Sequence, residues 1–455
     1  MPPLIEYLRA FGRFQRNARL YLISNALSGV TVGIILVLYN LYLTALGYGP
    51  DFVGLVLFAG TLGAGAAIFP AGLCVDRFSG RRILIWASVE IGIAGAGQFL
   101  FHQPLPLLVS AFAAGVGGAF ILVVNAPFLT ASSQPAERPH LFSLNIVVTL
   151  AATVLGEVTG GALPIWLRGN TWLMGAAPSW LAWALVHQPQ ARSYQLALLL
   201  AGCIAAPSFV PLFMMSDERP AQFSIPRSES EFNVSYASSM AGLRSAVARA
   251  ILRLRKTRWH AVVVSPLFVM VAVQALTGMG AGLFLPYFNI YFVKHLGASS
   301  ALFGLIDGGA NALNAVLTLA APWLAARIGK VNSIVATRAA SIPLMLTIGL
   351  TSLLPLAAVL YPLRQGMADM EQGILQVFSM EVVPRQRRGL ANSSYQAAYQ
   401  VAWALTTPLG GLIIAREGYA LVFIVAAILY LLALAMLWGR FGRGEGERVT
   451  AKINP

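Results

Sequence analysis

The chain has 455 residues, of which 57% are hydrophobic and 11% charged, where soluble domains carry about 45–50% and about 25%. A water-facing surface for so long a chain cannot be built from so few charges, which excludes a soluble globular fold. A hydrocarbon core about 30 Å thick takes roughly 20 apolar residues per helix, so a polytopic α-helical membrane protein with about a dozen spans is expected.

The first apolar run, residues 20–46, follows Arg9, Arg13, Arg16 and Arg19. It is too long for a signal-peptide core and lacks a small-residue cleavage site, so it reads as a retained first helix. Run length then predicts helices near 51–73, 83–101, 105–131, 141–166 and 194–215, and, after a polar stretch, near 261–293, 300–325, 333–352, 356–380, 391–414 and 419–439. That makes twelve. The chain divides into a tail of residues 1–18, a six-helix bundle over 19–216, a linker over 217–260, a second bundle over 261–439 and a tail over 440–455. The linker carries Leu243, Val247, Ile251 and Leu254 at helical spacing, with Arg249, Arg253, Arg255 and Lys256 on other faces. That pattern suits a basic amphipathic helix, lying on an anionic leaflet or simply solvated.

Residues 171–187 are apolar and rich in tryptophan (Trp172, Trp180, Trp183) but are broken by Gly175 and Pro178. A span there would invert every later helix. With twelve spans, 25 of the 31 Lys and Arg fall on one side and only Arg168, Arg192, Lys294 and Arg416 on the other. The positive-inside rule then puts both termini in the cytoplasm and the tryptophans at the outer interface, in a plasma (inner) membrane. The same spread over every cytoplasmic loop argues against nucleic acid as a partner. The two cysteines, Cys74 and Cys203, sit in or beside apolar runs. They imply no disulfide framework and have no metal-ligand spacing.

The two halves repeat. Asn25-Ala-Leu-Ser-Gly29 and Gln274-Ala-Leu-Thr-Gly278 are offset by 249, as are Tyr39-Asn40-Leu41-Tyr42 and Phe288-Asn289-Ile290-Tyr291. Gly54-Leu55 and Gly304-Leu305, and Gly160-Gly161 and Gly410-Gly411, follow at an offset of 250. Parallel six-helix repeats occur in transporters that hold substrate at the repeat interface. After the second helix comes Gly72-Leu-Cys-Val-Asp76-Arg77-Phe-Ser-Gly80-Arg81-Arg82. With twelve spans and a central linker, this loop resembles the signature of the major facilitator superfamily, with one extra residue between Arg77 and Gly80. The resemblance implies a secondary transporter working by alternating access, in which Asp76, Arg77, Gly80 and Arg81 form a cytoplasmic gate that stabilises the outward-facing state.

Five carboxylates fall inside predicted helices: Glu90, Glu157, Asp307, Asp369 and Glu371. Each costs at least about 2.5 kcal/mol at a helix centre, so each must face protein or water and is a functional candidate. Asp307, Asn311, Asn314 and Thr318 form one stripe down the eighth helix, which reads as cavity lining, with interhelical hydrogen bonding as the alternative. Arg364 and Glu371 share a face of the tenth helix about 10.5 Å apart in rise, so water, substrate or another helix must complete their pairing. Asp369 points to nearly the opposite side and is expected to brace structure while Glu371 meets the pathway, a purely structural ion network being the alternative. Glu157 stands where the family's fifth-helix antiporter motif has a proline, within Gly156-Glu-Val-Thr-Gly160-Gly161. Glu90 is assigned a structural role. Gln396, Gln400, Trp403 and Thr407 mark one face of the eleventh helix, suited to an amphipathic organic ligand. Asn40 and Asn289, beside Tyr39, Tyr42, Tyr287 and Tyr291, read as an interfacial aromatic belt or as an outer gate, with the belt preferred.

No phosphate-binding loop and no His-Glu-x-x-His pair occurs, and the five histidines lie in loops or at helix ends. The reading is therefore a monomeric, non-enzymatic transporter without cofactor or metal. Its partners are a small-molecule substrate, membrane lipids, and protons or another coupling ion. Asp307, Glu371 and Glu157 are the coupling candidates, with Asn311, Asn314, Arg364, Gln396, Gln400 and Trp403 in the substrate cavity. Proton-coupled efflux of amphipathic organic compounds is expected first. A metabolite symporter or uniporter, with Arg364 binding an anion, comes next, and a non-transporting receptor or scaffold last.

Overall fold

The computed structural model describes residues 14–134, 137–175, 183–216, 265–383 and 388–453, with backbone only for 76, 139, 389, 390 and 443–453. The linker and the first part of the N-terminal tail lie outside these residues. Among them every element is a helix. The N-terminal half contains α1 (Arg16–Ala45), α2 (Pro50–Arg77), α3 (Gly80–Leu100), α4 (Pro104–Ala131) and α5 (Arg138–Gly169). Its last helix, α6, is Pro189–Ala205, continued through one 3-10 turn into Phe209–Met214. The C-terminal half contains α7 (Pro266–Phe284), α8 (Ser300–Ile328), α9 (Lys330–Leu350), α10 (Leu354–Asp369, resuming as Gln372–Glu381), α11 (Arg388–Glu417) and α12 (Tyr419–Ile453). We call the membrane face where α1 begins the proximal face and the other the distal face.

Eleven of these helices, with their short 3-10 and π continuations, are long and apolar enough to cross a membrane. The twelfth crossing is α10, whose two pieces are 16 and 10 residues long because the helix opens at Met370 and Glu371. The final helix runs on through Ile453, so most of the segment expected as a tail is helical. Among its described residues the Trp-rich segment has a single helical turn, Thr171–Met174, capped by the Asn170 side chain. Trp172 and Trp183 are exposed. After it, buried Gln195 ties the chain to the last turn of α3: its amide donates to the carbonyls of Ala184 (2.6 Å) and Phe99 (2.8 Å) and its oxygen accepts from Val186 N–H. The same amide faces His102 Nε2 at 3.2 Å. Burial, and then the nearby His187, hold this imidazole below its usual pKa.

The duplication recurs atom by atom. Tyr42 donates to the carbonyl of Phe99, and Tyr291, 249 residues on, donates to that of Ile348. A Cβ at Gly161 would strike Ser300 and Gly304, while one at Gly411 would strike Pro50. These are repeat-equivalent contacts at an offset of 250. Within each half, missing side chains let helices touch: Gly33 meets the backbone of Gly156 and Glu157, and Gly278 that of Tyr399. In lipid such close approach, rather than water exclusion, drives helix association. The two halves therefore meet through α5 against α8 and α2 against α11.

Candidate functional site

The inter-half contacts lie toward the distal face. There α7 departs from regular helix, passing through a 3-10 turn at Leu285–Tyr287 and a π segment at Tyr291–His295. Ile290 N–H, which in a regular helix would bond the Pro286 carbonyl, donates instead to Asn289 Oδ1 at 2.8 Å. The Pro286 carbonyl accepts from Asn40 Nδ2 at 2.7 Å, and Asn289 Nδ2 donates back to the carbonyls of Leu36 and Val37 at 3.3 and 3.2 Å. The preferred reading of these residues as an interfacial belt is corrected here. Both asparagines, with Tyr39, Tyr42, Tyr287 and Tyr291, are buried, and the asparagines bond across the two halves. Sequence spacing showed their equivalence but not that the irregular α7 would offer free carbonyls.

Deeper in, Glu157 of α5 is 1% exposed and faces the polar stripe of α8. Asn311 Nδ2 donates to both of its carboxylate oxygens, at 2.9 and 3.0 Å. One turn nearer the distal face, Asp307 Oδ1 accepts from the hydroxyl of Tyr361 in α10 at 2.8 Å. Asp307, Glu157 and Arg364 all lie within electrostatic reach of Tyr361. Gly304 and Gly33 make the meeting possible, since a Cβ on either would overlap the Glu157 backbone.

Below this contact the same faces open. Along α8, Gly304 is buried, Asn311 and Asn314 are half-buried and Thr318 is exposed. Along α11, Gly411 and Thr407 are buried, Trp403 is half-buried, and Gln400 and Gln396 are exposed. These are the faces that carry the inter-half contacts near the distal end, so their exposure marks a polar cleft opening toward the proximal face.

The ionic residues of α9 and α10 form a second cluster, linked to the first through Tyr361, which Arg364 also reaches. Glu371 is fully buried and ion-paired through Oε1 with Arg338 of α9, whose other nitrogen donates to Thr277 of α7 at 3.2 Å. Arg364 is 2% exposed, stands 5.0 Å from the Phe284 ring centroid and donates to Gln365, which in turn donates to Asp369 at 2.6 Å. Glu371 Oε2 and Arg364 Nε reach no hydrogen-bond partner. Arg338 and Tyr361 had not been singled out from the sequence. The available signal was Arg338 itself, a charge inside an apolar run without a partner on its own helix. Removing one member of a buried pair costs about 3–5 kcal/mol. Glu371→Gln and Arg338→Met should each therefore lower the apparent unfolding midpoint in detergent sharply. A double replacement by apolar residues should recover most of the loss, and a double variant whose loss equals the sum of the two single losses would refute the pairing.

At the proximal face Arg77 is exposed. Arg81 donates to the carbonyls of Phe213 (2.9 Å) and Leu212 (3.5 Å) at the end of α6, within its own half. Gly80 begins α3 against Phe128. Asp76 ends α2 with its side chain outside the described residues. Glu90 of α3 packs beside Gly117 of α4, outside the cleft. No group of three or more metal-ligating side chains occurs among the described residues.

Two pseudo-symmetric six-helix halves, joined near one membrane face and parted by a polar cleft toward the other, define a membrane transporter fold. The family model of the Major Facilitator Superfamily matches residues 21–368 and 270–453, and the chain belongs to that family. Among solved structures it is similar to an inward-facing, occupied bacterial homologue of the human lysosomal transporter Spinster, at 14% identity and a TM-score of 0.70, covering 93% of this chain and 96% of that one. It is also similar to an inward-facing bacterial homologue of the iron transporter ferroportin (16% identity, TM-score 0.66, 93% and 98% covered). A D-xylose-proton symporter shares the fold as well (14% identity, TM-score 0.63, 92% and 96% covered). Among curated protein sequences none matches the chain.

Proposed function

We propose that the protein is a proton-coupled secondary transporter, exporting small amphipathic organic compounds by alternating access, with the proximal face cytoplasmic. The observation that carries this reading is the meeting of Glu157 with Asn311 and Asp307 across the two halves. A carboxylate gains a proton when its surroundings dry and loses it when they wet. As an ion, Glu157 accepts twice from the Asn311 amide; protonated, it offers one acceptor fewer and a donor of its own. A proton arriving there changes how strongly α5 holds α8, and that contact is one the halves must break to rock. Asp307, held by Tyr361 at the distal end of the same stripe, relays or carries the proton.

Asn314, Gln396, Gln400 and Trp403 supply directional amides and one large aromatic surface to the cleft, the chemistry an amphipathic organic molecule needs. We assign Glu371 and Arg364 to bracing α7, α9 and α10, because each is enclosed by protein and Glu371 already has Arg338. Asp76 and Arg77 act in the opposite state, closing the proximal face when the distal one opens.

Proteoliposomes with an imposed pH gradient test the reading. One class among organic cations, sugars and organic anions should dissipate the gradient on addition. Flux of an anion that survives collapse of the gradient would favour a uniporter, and absence of flux for every class with folded protein would favour a scaffold.

A further inference from the structure

On the outer flank of the N-terminal half, away from the central cleft, α2, α3 and α4 enclose a recess of about 510 Å³. Its walls are Cys74 of α2 and Phe78 just beyond its end, Arg82, Ile83, Trp86, Ala87 and Glu90 of α3, and Val116, Gly117 and Phe120 of α4. That volume falls within the range of sites that take drug-sized molecules, about 300–1,000 Å³.

Three features give the recess a chemical preference. Phe78, Trp86 and Phe120 make much of its surface aromatic, and aromatic faces attract cations through the ring quadrupole. Glu90 is the only acid among the lining residues. Its Oε2 lies in the space left by the missing side chain of Gly117, is shielded from solvent and reaches no hydrogen-bond partner. Ten residues into α3, Glu90 lies about 15 Å from the helix start, near the middle of a hydrocarbon layer about 30 Å thick. Arg82 stands eight residues nearer the proximal face, about 12 Å away in rise, too far to serve as its counter-charge along the helix. A carboxylate at that depth with no counter-charge and one oxygen left unbonded is among the costliest groups a membrane helix can carry. A bound cation with an N–H donor would supply both the missing charge and the missing hydrogen bond.

We propose that this recess is a second ligand site, separate from the transport cleft, that binds a lipophilic amine: its ammonium on Glu90 and its apolar body between Trp86, Phe78 and Phe120. The site does not depend on which substrate the central cleft carries. Phospholipid tails fit the walls but leave Glu90 unsatisfied, so a neutral chain has no reason to prefer this place over the rest of the lipid-facing surface.

Trp86 is itself a reporter. The full-length protein in detergent is titrated with a bromophenyl-alkylamine, a heavy-atom quencher, and with the bromophenyl alcohol of the same chain length. The contribution of Trp86 is obtained by difference from Trp86→Phe. The amine should quench Trp86 saturably, with affinity about tenfold weaker in Glu90→Gln, the effect of losing about 1.4 kcal/mol. The alcohol should show only shallow, non-saturating quenching in both proteins. Phe120→Ala, which removes one aromatic wall and leaves the carboxylate in place, should also weaken the amine, and serves if Glu90→Gln unfolds. Equal quenching by amine and alcohol, or unchanged amine affinity in Glu90→Gln, would overturn the site. So would quenching confined to Trp403, because that places the amine in the central cleft.

Discussion

Asp307→Asn should reduce pH-driven transport in proteoliposomes by at least about a hundredfold, the scale on which removing a proton-transferring group acts, while exchange of substrate without a gradient survives. The side chain keeps its place, since an asparagine oxygen still accepts from the Tyr361 hydroxyl that now bonds Asp307 Oδ1 at 2.8 Å. Only the ability to ionise is lost. Glu157→Gln should also impair coupling, but with weaker exchange, because the link from Asn311 to both carboxylate oxygens falls to one acceptor. Glu90→Gln, outside the cleft, should spare coupling. If Asp307→Asn kept full pH-driven transport while Glu157→Gln abolished it, Glu157 of α5 alone would carry the proton and the role given to Asp307 would fall.

The second large effect concerns closure of the distal face. A Cβ at Gly161 would overlap the Ser300 carbonyl and press on the backbones of Ala301 and Gly304, none of which can turn aside as a side chain would. Gly161→Val should therefore penalise the state in which α5 and α8 touch. Overpacking of this kind costs about 1–3 kcal/mol, which is about 5- to 150-fold in population. A cysteine placed at Val37, buried beneath the Asn40–Asn289 pair, on a background lacking Cys74 and Cys203, should label faster from the distal side by a factor in that range. Gly169→Val is the control, since a Cβ there meets nothing. Equal labelling of the two valine variants would show that the α5–α8 approach does not set the closed state.

Much of the architecture was legible in the residues alone. Apolar run length places a span because the bilayer imposes one length on every crossing helix, and the repeat offsets of 249 and 250 survive as equivalent contacts, Tyr42 on Phe99 and Tyr291 on Ile348. The stripe from Asp307 to Thr318 was legible for a similar reason: helical periodicity is local, so residues that share a face can be named without knowing what they face. Where a single helix does not stay regular, this reasoning fails. Glu371 and Asp369 were placed on opposite sides of one continuous helix, and the chain opens between them at Met370 and Glu371.

The tertiary structure alone decided which polar groups meet. Arg338 and Glu371 are 33 residues apart and Asn311 and Glu157 are 154 apart, separations over which no periodicity carries information. Their pairing follows from how closely the helices approach, and that approach is set by glycines such as Gly33, Gly161 and Gly304 acting against backbones of other helices. The sequence by itself thus determined twelve membrane crossings, their duplication and the faces on which charge is tolerated. The partners of those charges were decided only when packing brought the faces together, because inside a membrane a buried ion must find its counterpart on whichever helix is near enough to supply it.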